Sequence, residues 1–269
     1  MKRTLHYSVE KKEHIYLIIK YIISALAYSG YAFLMYKTNS LLLLAAGIFF
    51  ICFIVRRLSM HMSGIGYIET NGVRINENQF PEVFEILKSQ SKEMGLKKVP
   101  SMYLLLDAGM INAFSARFTG RNYLILHADI LGAAYEKGAH VVEFIIGHEL
   151  GHLKRNHVSL FHAIFTLPAR LIPFLDLAYL RACEFTCDKI GYAFSPEGAF
   201  EGMLILVSGR ELRRSINIKE LINTYKAEKG FITWFSTIHS THPPIADRIA
   251  HFQKLIEADI HKHKRIITK

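Results

Sequence analysis

The chain has 269 residues, enough for one large domain or a domain and a half. Hydrophobic residues make up 51% of it and its mean hydropathy is +0.18, which excludes a disordered or collagen-like chain and is high for a soluble enzyme. Three cysteines, an odd number, speak against a secreted disulfide scaffold, and 33 Lys+Arg against 23 Asp+Glu leave +10, a charge that calls for an anionic surface or nucleic acid as neighbour.

The first sixty residues read as a transmembrane hairpin (1–60), followed by a catalytic domain (61–269). Ile15 to Tyr36 carries Lys20 as its one charge, and Thr38 to Val55 carries none. A helix crosses the hydrocarbon core with about 20 mostly apolar residues, and Lys20 is near enough to one end to snorkel. Helices of a globular core keep a polar stripe that these runs lack. Lys2, Arg3, Lys11 and Lys12 precede the first run, Arg56 and Arg57 follow the second, and the turn near Lys37–Ser40 holds one lysine. The positive-inside pattern therefore predicts a multi-pass protein of the cell (inner) membrane with both ends and the catalytic part in the cytoplasm. Ala25-Leu26-Ala27 resembles a signal-peptidase site, but cleavage there would leave Arg56-Arg57 holding the rest on the same side. Much of the excess charge is juxtamembrane or in the tail His261–Arg265, without an RNA-binding signature, so the expected anionic partner is the lipid bilayer and not nucleic acid.

Further along, Asn78 to Met94 has helical spacing of Val83, Phe84, Leu87 and Met94, with Gly95 as a stop. Ser101 to Leu106 reads as a strand, and Asn112–Ser115 with Tyr123–Leu126 as two extended segments about a turn at Thr119-Gly120. The period becomes helical from Ala139 to about His157. Val158 to Leu180 is apolar but broken by Pro168, Arg170, Pro173 and Asp176, which predicts an interfacial or core segment and not a clean span. Further helices follow, with breaks at Ser195-Pro196 and around Gly230, and the last is expected to start at Pro243-Pro244.

The chemistry is concentrated in His148-Glu149-Leu150-Gly151-His152. In a helix, positions i and i+4 share a face, so both imidazoles of this H-E-x-x-H string can reach one ion while Glu149 lies beside it as a base. Gly147 and Gly151 each cost the helix about 1 kcal/mol against Ala, which makes sense if another element packs closely there. Zinc takes a third protein ligand and leaves a fourth position open. Glu184, in Cys183-Glu184-Phe185-Thr186-Cys187-Asp188, is the favoured third ligand, with Asp188 one turn on as an orienting partner; His157, Cys183 and Cys187 stay open as alternatives. Cys52, inside the second apolar run, reads as packing.

Taken together, the two hydrophobic runs, Asn112-Ala113-Phe114, the H-E-L-G-H string, Glu184 with Asp188, and Thr241-His242-Pro243-Pro244 ahead of Arg248 resemble the membrane zinc metallopeptidase family of the heat-shock protease HtpX and the CAAX prenyl endopeptidases. The resemblance covers roughly Phe80 to Lys254. It implies an α+β, mainly helical, zincin-like domain with a small sheet, Zn2+ on His148, His152 and Glu184, Glu149 as catalytic base, His242 near the transition state and Arg248 in support. The family's HtpX-like members carry a longer hydrophobic insertion where this chain has only Leu153 to Cys183. The expected activity is endoproteolysis of unfolded or membrane-associated polypeptides as quality control, with an extended substrate adding to a strand edge formed by Asn112, Ala113, Phe114, Tyr123, Leu124 and Ile125. The competing reading is a catalytically inactive membrane zinc-binding protein. Prenyl-protein processing needs a large intramembrane chamber, which two spans and a short insertion do not enclose.

Overall fold

The computed structural model describes residues 7–106, 113–128, 130–132, 138–212 and 215–267, and the side chains of all of these except 206–207, 209–212 and 258–267. Two long helices come first. α1 (Lys11–Thr38) and α2 (Leu41–Asn71) form a hairpin through Asn39, whose left-handed backbone (φ 42) a short amide side chain tolerates. Tyr31 donates to the carbonyl of Leu43 and Tyr28 packs edge-on against Phe50, so the helices run side by side. Both are long and apolar enough to cross a membrane, and their most apolar stretches are only 11% and 0% buried by protein. α2 continues without a break past residue 60, the expected domain boundary, and lays Ile65 and Ile68 against Tyr103, Tyr123 and Ile125.

Lys20 does not snorkel. It is 1% exposed, paired with Asp176 and set 4.2 Å from the ring centroid of Tyr179. A carboxylate and an aromatic face supplied by a distant part of the chain replace the water that snorkelling would have reached.

The sheet is four-stranded: β1 (Val73–Ile75), β2 (Ser101–Leu105), β3 (Ala113–Phe118) and β4 (Arg121–His127), in the order β1-β2-β4-β3. β2 and β4 are parallel and the other pairs antiparallel. The β3–β4 hairpin turns at Thr119 and Gly120, both with positive φ (45 and 77). The expected edge at Tyr123–Ile125 is corrected here. β4 lies inside the sheet because successive residues are apolar: Leu124 and Leu126 join one core cluster, Tyr123 and Ile125 the other, and a strand buried on both faces sits in the middle. Among the described residues the edge strands are β1 and β3, of which β3 lies beside the helix Ala139–Lys154.

The remaining elements are helical. α3 (Pro81–Glu93) ends before Gly95 in the left-handed conformation (φ 66), and Gln90 on it donates to the carbonyl of Glu143 in α4 (Ala139–Lys154). Then come α5 (Leu160–Phe165), a 3-10 turn (Pro168–Leu171), α6 (Leu175–Phe194) and α7 (Pro196–Leu212). α8 (Ile218–Ala227), α9 (Phe231–His239) and α10 (Ile245–Ile267) complete the chain, with the breaks at Pro196 and Gly230 and the last helix start close to where proline and glycine predict them.

α4 and α6 cross at glycines. A Cβ on Gly191 would lie 2.8 Å from the Phe144 carbonyl oxygen, one on Gly147 3.2 Å from Gly191 Cα, and one on Gly151 3.1 Å from Cys187 Sγ. This is the close packing that Gly147 and Gly151 imply in the sequence. Gly191→Ala should therefore destabilise the fold by about 1–3 kcal/mol, since a backbone carbonyl cannot rotate away. Gly64→Ala, with nothing within 4 Å, should be neutral or slightly stabilising. Thermal unfolding in detergent measures both, and equal melting temperatures would contradict the close crossing.

Candidate metal centre

The α4–α6 crossing sets two histidines of one helix against a carboxylate of the other. His148 Nε2 lies 3.3 Å from His152 Nε2, His148 Nε2 3.6 Å from Glu184 Oε2, and His152 Nε2 3.3 Å from Glu184 Oε1. Tetrahedral coordination with bonds of about 2.0–2.1 Å spaces its ligands about 3.3 Å apart, close to the spacing of the two imidazole nitrogens and of each imidazole from its nearer Glu184 oxygen, Oε2 for His148 and Oε1 for His152. His148 and Glu184 are buried and His152 is nearly so, and their ligand atoms all lie within 4.8 Å of one another.

The other ring nitrogens determine which atoms are free to bind. His148 Nδ1 lies 3.0 Å from Asp188 Oδ1; a proton on Nδ1 would face this carboxylate and leave the Nε2 lone pair toward Glu184. His152 Nδ1 faces His157 Nδ1 at 3.2 Å, and His157 Nε2 lies 3.2 Å from Glu13 Oε1. With His152 Nδ1–H donating to His157, the latter's proton is on Nε2 and donates to Glu13. The Glu13 carboxylate also accepts from Arg155 Nε (3.0 Å) and Nη2 (2.9 Å). One imidazole is thus held directly by a carboxylate, the other through an intervening histidine.

Arg248 closes the other side. It is 5% exposed and donates through Nε to Asp188 Oδ2 (2.8 Å) and through Nη2 to Oδ1, while Nη1 stands 3.6 Å from Glu184 Oε2. Burial alone would raise the Glu184 carboxyl, but the His152 hydrogen bond and charge, then Arg248 and His148, hold it well below the usual range. Burial likewise opposes ionisation of Asp188, and the Arg248 charge and fork overcome it. Burial pulls His152 down, yet hydrogen bonding to Glu184 and its charge leave it raised.

A cavity of about 230 Å³ opens onto the three donors. Glu149, 6% exposed, forms part of its wall, as do Phe144, Val158 and Met203, and the edge strand contributes Ala113, Phe114 and Ser115. His242 stands at the mouth, 59% exposed in its side chain, with Nε2 3.6 Å from Glu184 Oε1. Its loop is pinned by Arg181, which donates to the carbonyls of Ile238 and Ser240.

All the predicted site residues that the structure describes fall in or beside this cavity except Tyr123, Leu124 and Ile125, which are buried in β4; Asn112 lies outside the described residues. His157, weighed as a third ligand, stands behind His152 with both nitrogens engaged. Burial first, and then the charge of Glu184, pushes the Cys187 thiol up; burial does the same to Cys183. Glu13 is not legible in the sequence: an acid in Glu10-Lys11-Lys12-Glu13 ahead of an apolar run carries no signal of a partner 144 positions away.

A model of peptidase family M48 matches residues 77–169 and 159–256, which include the H-E-L-G-H helix, Glu184, Asp188, His242 and Arg248. The chain belongs to peptidase family M48. Among solved structures, the crystal structure of S. mikatae Ste24p shares its fold, with a TM-score of 0.51 at 12% identity over 91% of this chain and 67% of that one. No curated protein sequence matches. The chain is accordingly a metallopeptidase of the M48 family, mainly helical with a small sheet, and with two N-terminal candidate membrane helices.

Arg248→Met should leave Asp188 as an uncompensated buried charge and cost about 3–5 kcal/mol of stability. Arg248→Lys should recover part of it, because an ammonium cannot reproduce the two-pronged donation. Unfolding of the metal-free protein at neutral pH reads both, and a wild-type melting point for the Met variant would mean that His148 suffices to compensate Asp188.

Proposed function

We propose that the protein is a membrane-anchored zinc endopeptidase in which His148, His152 and Glu184 hold the metal and Glu149 is the base. The observation that carries this reading is the triangle of donor atoms with a carboxylate beside it and a cavity on its open side. A structural zinc is enclosed by four protein ligands, whereas here the fourth side faces the cavity. Bound there, zinc would supply Lewis acidity and lower the pKa of water to about 7.

The chain's own residues account for the rest. The Glu149 carboxylate takes a proton from water attacking the scissile carbonyl and passes it to the leaving amine nitrogen. His242, at the cavity mouth, donates from Nε2 to the carbonyl oxygen as negative charge develops there. Asp188, gripped by Arg248, keeps His148 in the tautomer that presents Nε2, and Glu13 does the same for His152 through His157. An extended peptide pairs with the outer edge of β3 along Phe114–Ser115, which supplies main-chain hydrogen bonds and little demand on side chains. That recognition suits unfolded segments, and the hairpin at 1–60 confines the domain at 61–269 to substrates at or near the bilayer, on the cytoplasmic side by the distribution of lysine and arginine. Quality-control proteolysis of membrane-associated proteins fits both properties.

Glu149→Gln should retain zinc and lose cleavage of casein or an unfolded membrane protein in detergent, with chelator-treated wild type as reference. Undiminished hydrolysis would remove Glu149 from the chemistry. Glu184→Ala should lower the zinc content of purified protein, and unchanged stoichiometry would send the third ligand elsewhere. Glu13→Gln should weaken zinc affinity by about 10–100-fold without abolishing binding, measured by chelator competition. His242→Ala should bind zinc normally and lose about 10²–10³ in kcat, or about 2.7–4 kcal/mol.

A further inference from the structure

Residues 160–172 lie outside the metal centre and pack on the two apolar helices rather than on the core. Ala169 N–H donates to Ser24 Oγ (3.3 Å), Tyr28 donates to the Ile164 carbonyl (2.7 Å), and Tyr21 Oη lies 3.0 Å from His162 Nδ1. On the other helix, Phe53 and Ile54 share a small cavity with Ala163, Ile164 and Leu167.

The helices serve as a depth gauge. Counted from the polar turn Lys37–Ser40 at about 1.5 Å per residue, Tyr28 lies about 14 Å along α1, Ser24 about 20 Å, and Phe53 about 20 Å along α2. The hydrocarbon layer is about 30 Å thick, so with the turn at one boundary both helices independently put the contacts of Ala163–Ala169 about 10 Å or more inside the other.

The segment is built for that depth. A non-helical backbone in lipid must satisfy its own polar groups. The N–H groups of Thr166, Leu167, Arg170 and Ile172 donate to His162, Ile164, Leu167 and Ala169 carbonyls, Ala169 to Ser24, and Pro168 and Pro173 have no N–H to satisfy. Its charges are neutralised locally: Arg170 Nε lies 3.4 Å from Asp176 Oδ2, and Asp176 also pairs with Lys20. The surface turned away from the helices is apolar, with Phe161 75%, Phe165 61% and Leu171 85% exposed.

α9 extends the same surface. It contains no charged residue and exposes Phe231, Ile232, Trp234 and Phe235. Its last residue, His239, packs edge-on against Phe174 (4.9 Å between ring centroids), two positions from the Asp176 that meets Lys20. Lys20 is about 25 Å from the turn, so this end of α9 lies near the hydrocarbon boundary.

We propose that residues 160–172 enter the hydrocarbon of the leaflet on the catalytic side as a re-entrant wedge, and that α9 lies at that leaflet's boundary with Trp234 as its anchor. The partner is phospholipid. The proposal rests on α1 and α2 crossing the bilayer. It places His242, three residues beyond α9, beside the membrane surface, so that a peptide leaving the bilayer reaches the cavity mouth directly.

Trp234 is the chain's one tryptophan and reports on itself. The full-length protein is reconstituted in phosphatidylcholine/phosphatidylglycerol vesicles carrying nitroxide lipids labelled at the headgroup or along the acyl chain. Trp234 should be quenched most by the shallow label. In a Trp234→Phe background, Phe165→Trp should be quenched several-fold more by the acyl-chain label than Lys88→Trp on exposed α3, and to an extent comparable with Leu34→Trp in α1. Quenching of Leu34→Trp but not of Phe165→Trp overturns the wedge and leaves the spans intact; a blue-shifted but unquenched Phe165→Trp would assign that face to a protein partner instead. Absence of quenching at Leu34→Trp overturns the spanning hairpin and the wedge with it. An unquenched native Trp234 removes α9 from the membrane boundary.

Discussion

The site depends on how closely two helices approach. Three donor atoms must meet within bond lengths of about 2 Å, and ordinary helix packing at 8–10 Å between axes leaves little tolerance for an extra methyl group. Gly147, Gly151 and Gly191 remove side chains where α4 and α6 cross, and His148 and His152 then face Glu184 without any adjustment of the backbone. Glycine's cost in helix propensity is accepted at these positions because the crossing cannot be made otherwise.

Held in that way, the two imidazoles still need fixed tautomers, and the fold supplies them from opposite ends of the chain. Asp188 and Arg248 belong to the helices around the cavity, whereas Glu13 belongs to the first turn of α1. The apolar hairpin is therefore part of the candidate site: Glu13, in its first turn, is buried behind His157 and His152. Arg155 and His157, on the loop leaving α4, join the two parts.

Much of this was legible in the sequence for definite reasons. The two apolar runs stand out because lipid-facing helices have no polar stripe. The helix carrying the H-E-L-G-H string declares itself by its period, and Glu184 with Asp188 by their one-turn spacing after an apolar stretch. Three features were not legible. Lys20 looked like a snorkelling lysine because its partner, Asp176, is supplied by tertiary packing. The sequence does not separate β4 from an edge, because an apolar strand of seven residues reads alike at the middle or margin of a sheet; only the pairing with β2 on one side and β3 on the other decides. The link from Glu13 to His157 joins residues that no periodicity relates.

The unbroken course of α2 has a mechanical consequence. Helix runs from Leu41 to Asn71 with no joint, and its far end is wedged under the sheet by Ile65 and Ile68. In the proposed spanning arrangement, with Leu41 at the opposite side of the bilayer, such a strut would forbid the head from swivelling or rising on a tether. A polypeptide would then be chosen by the height at which it offers a loose stretch above the lipid, so geography rather than sequence would discriminate among clients.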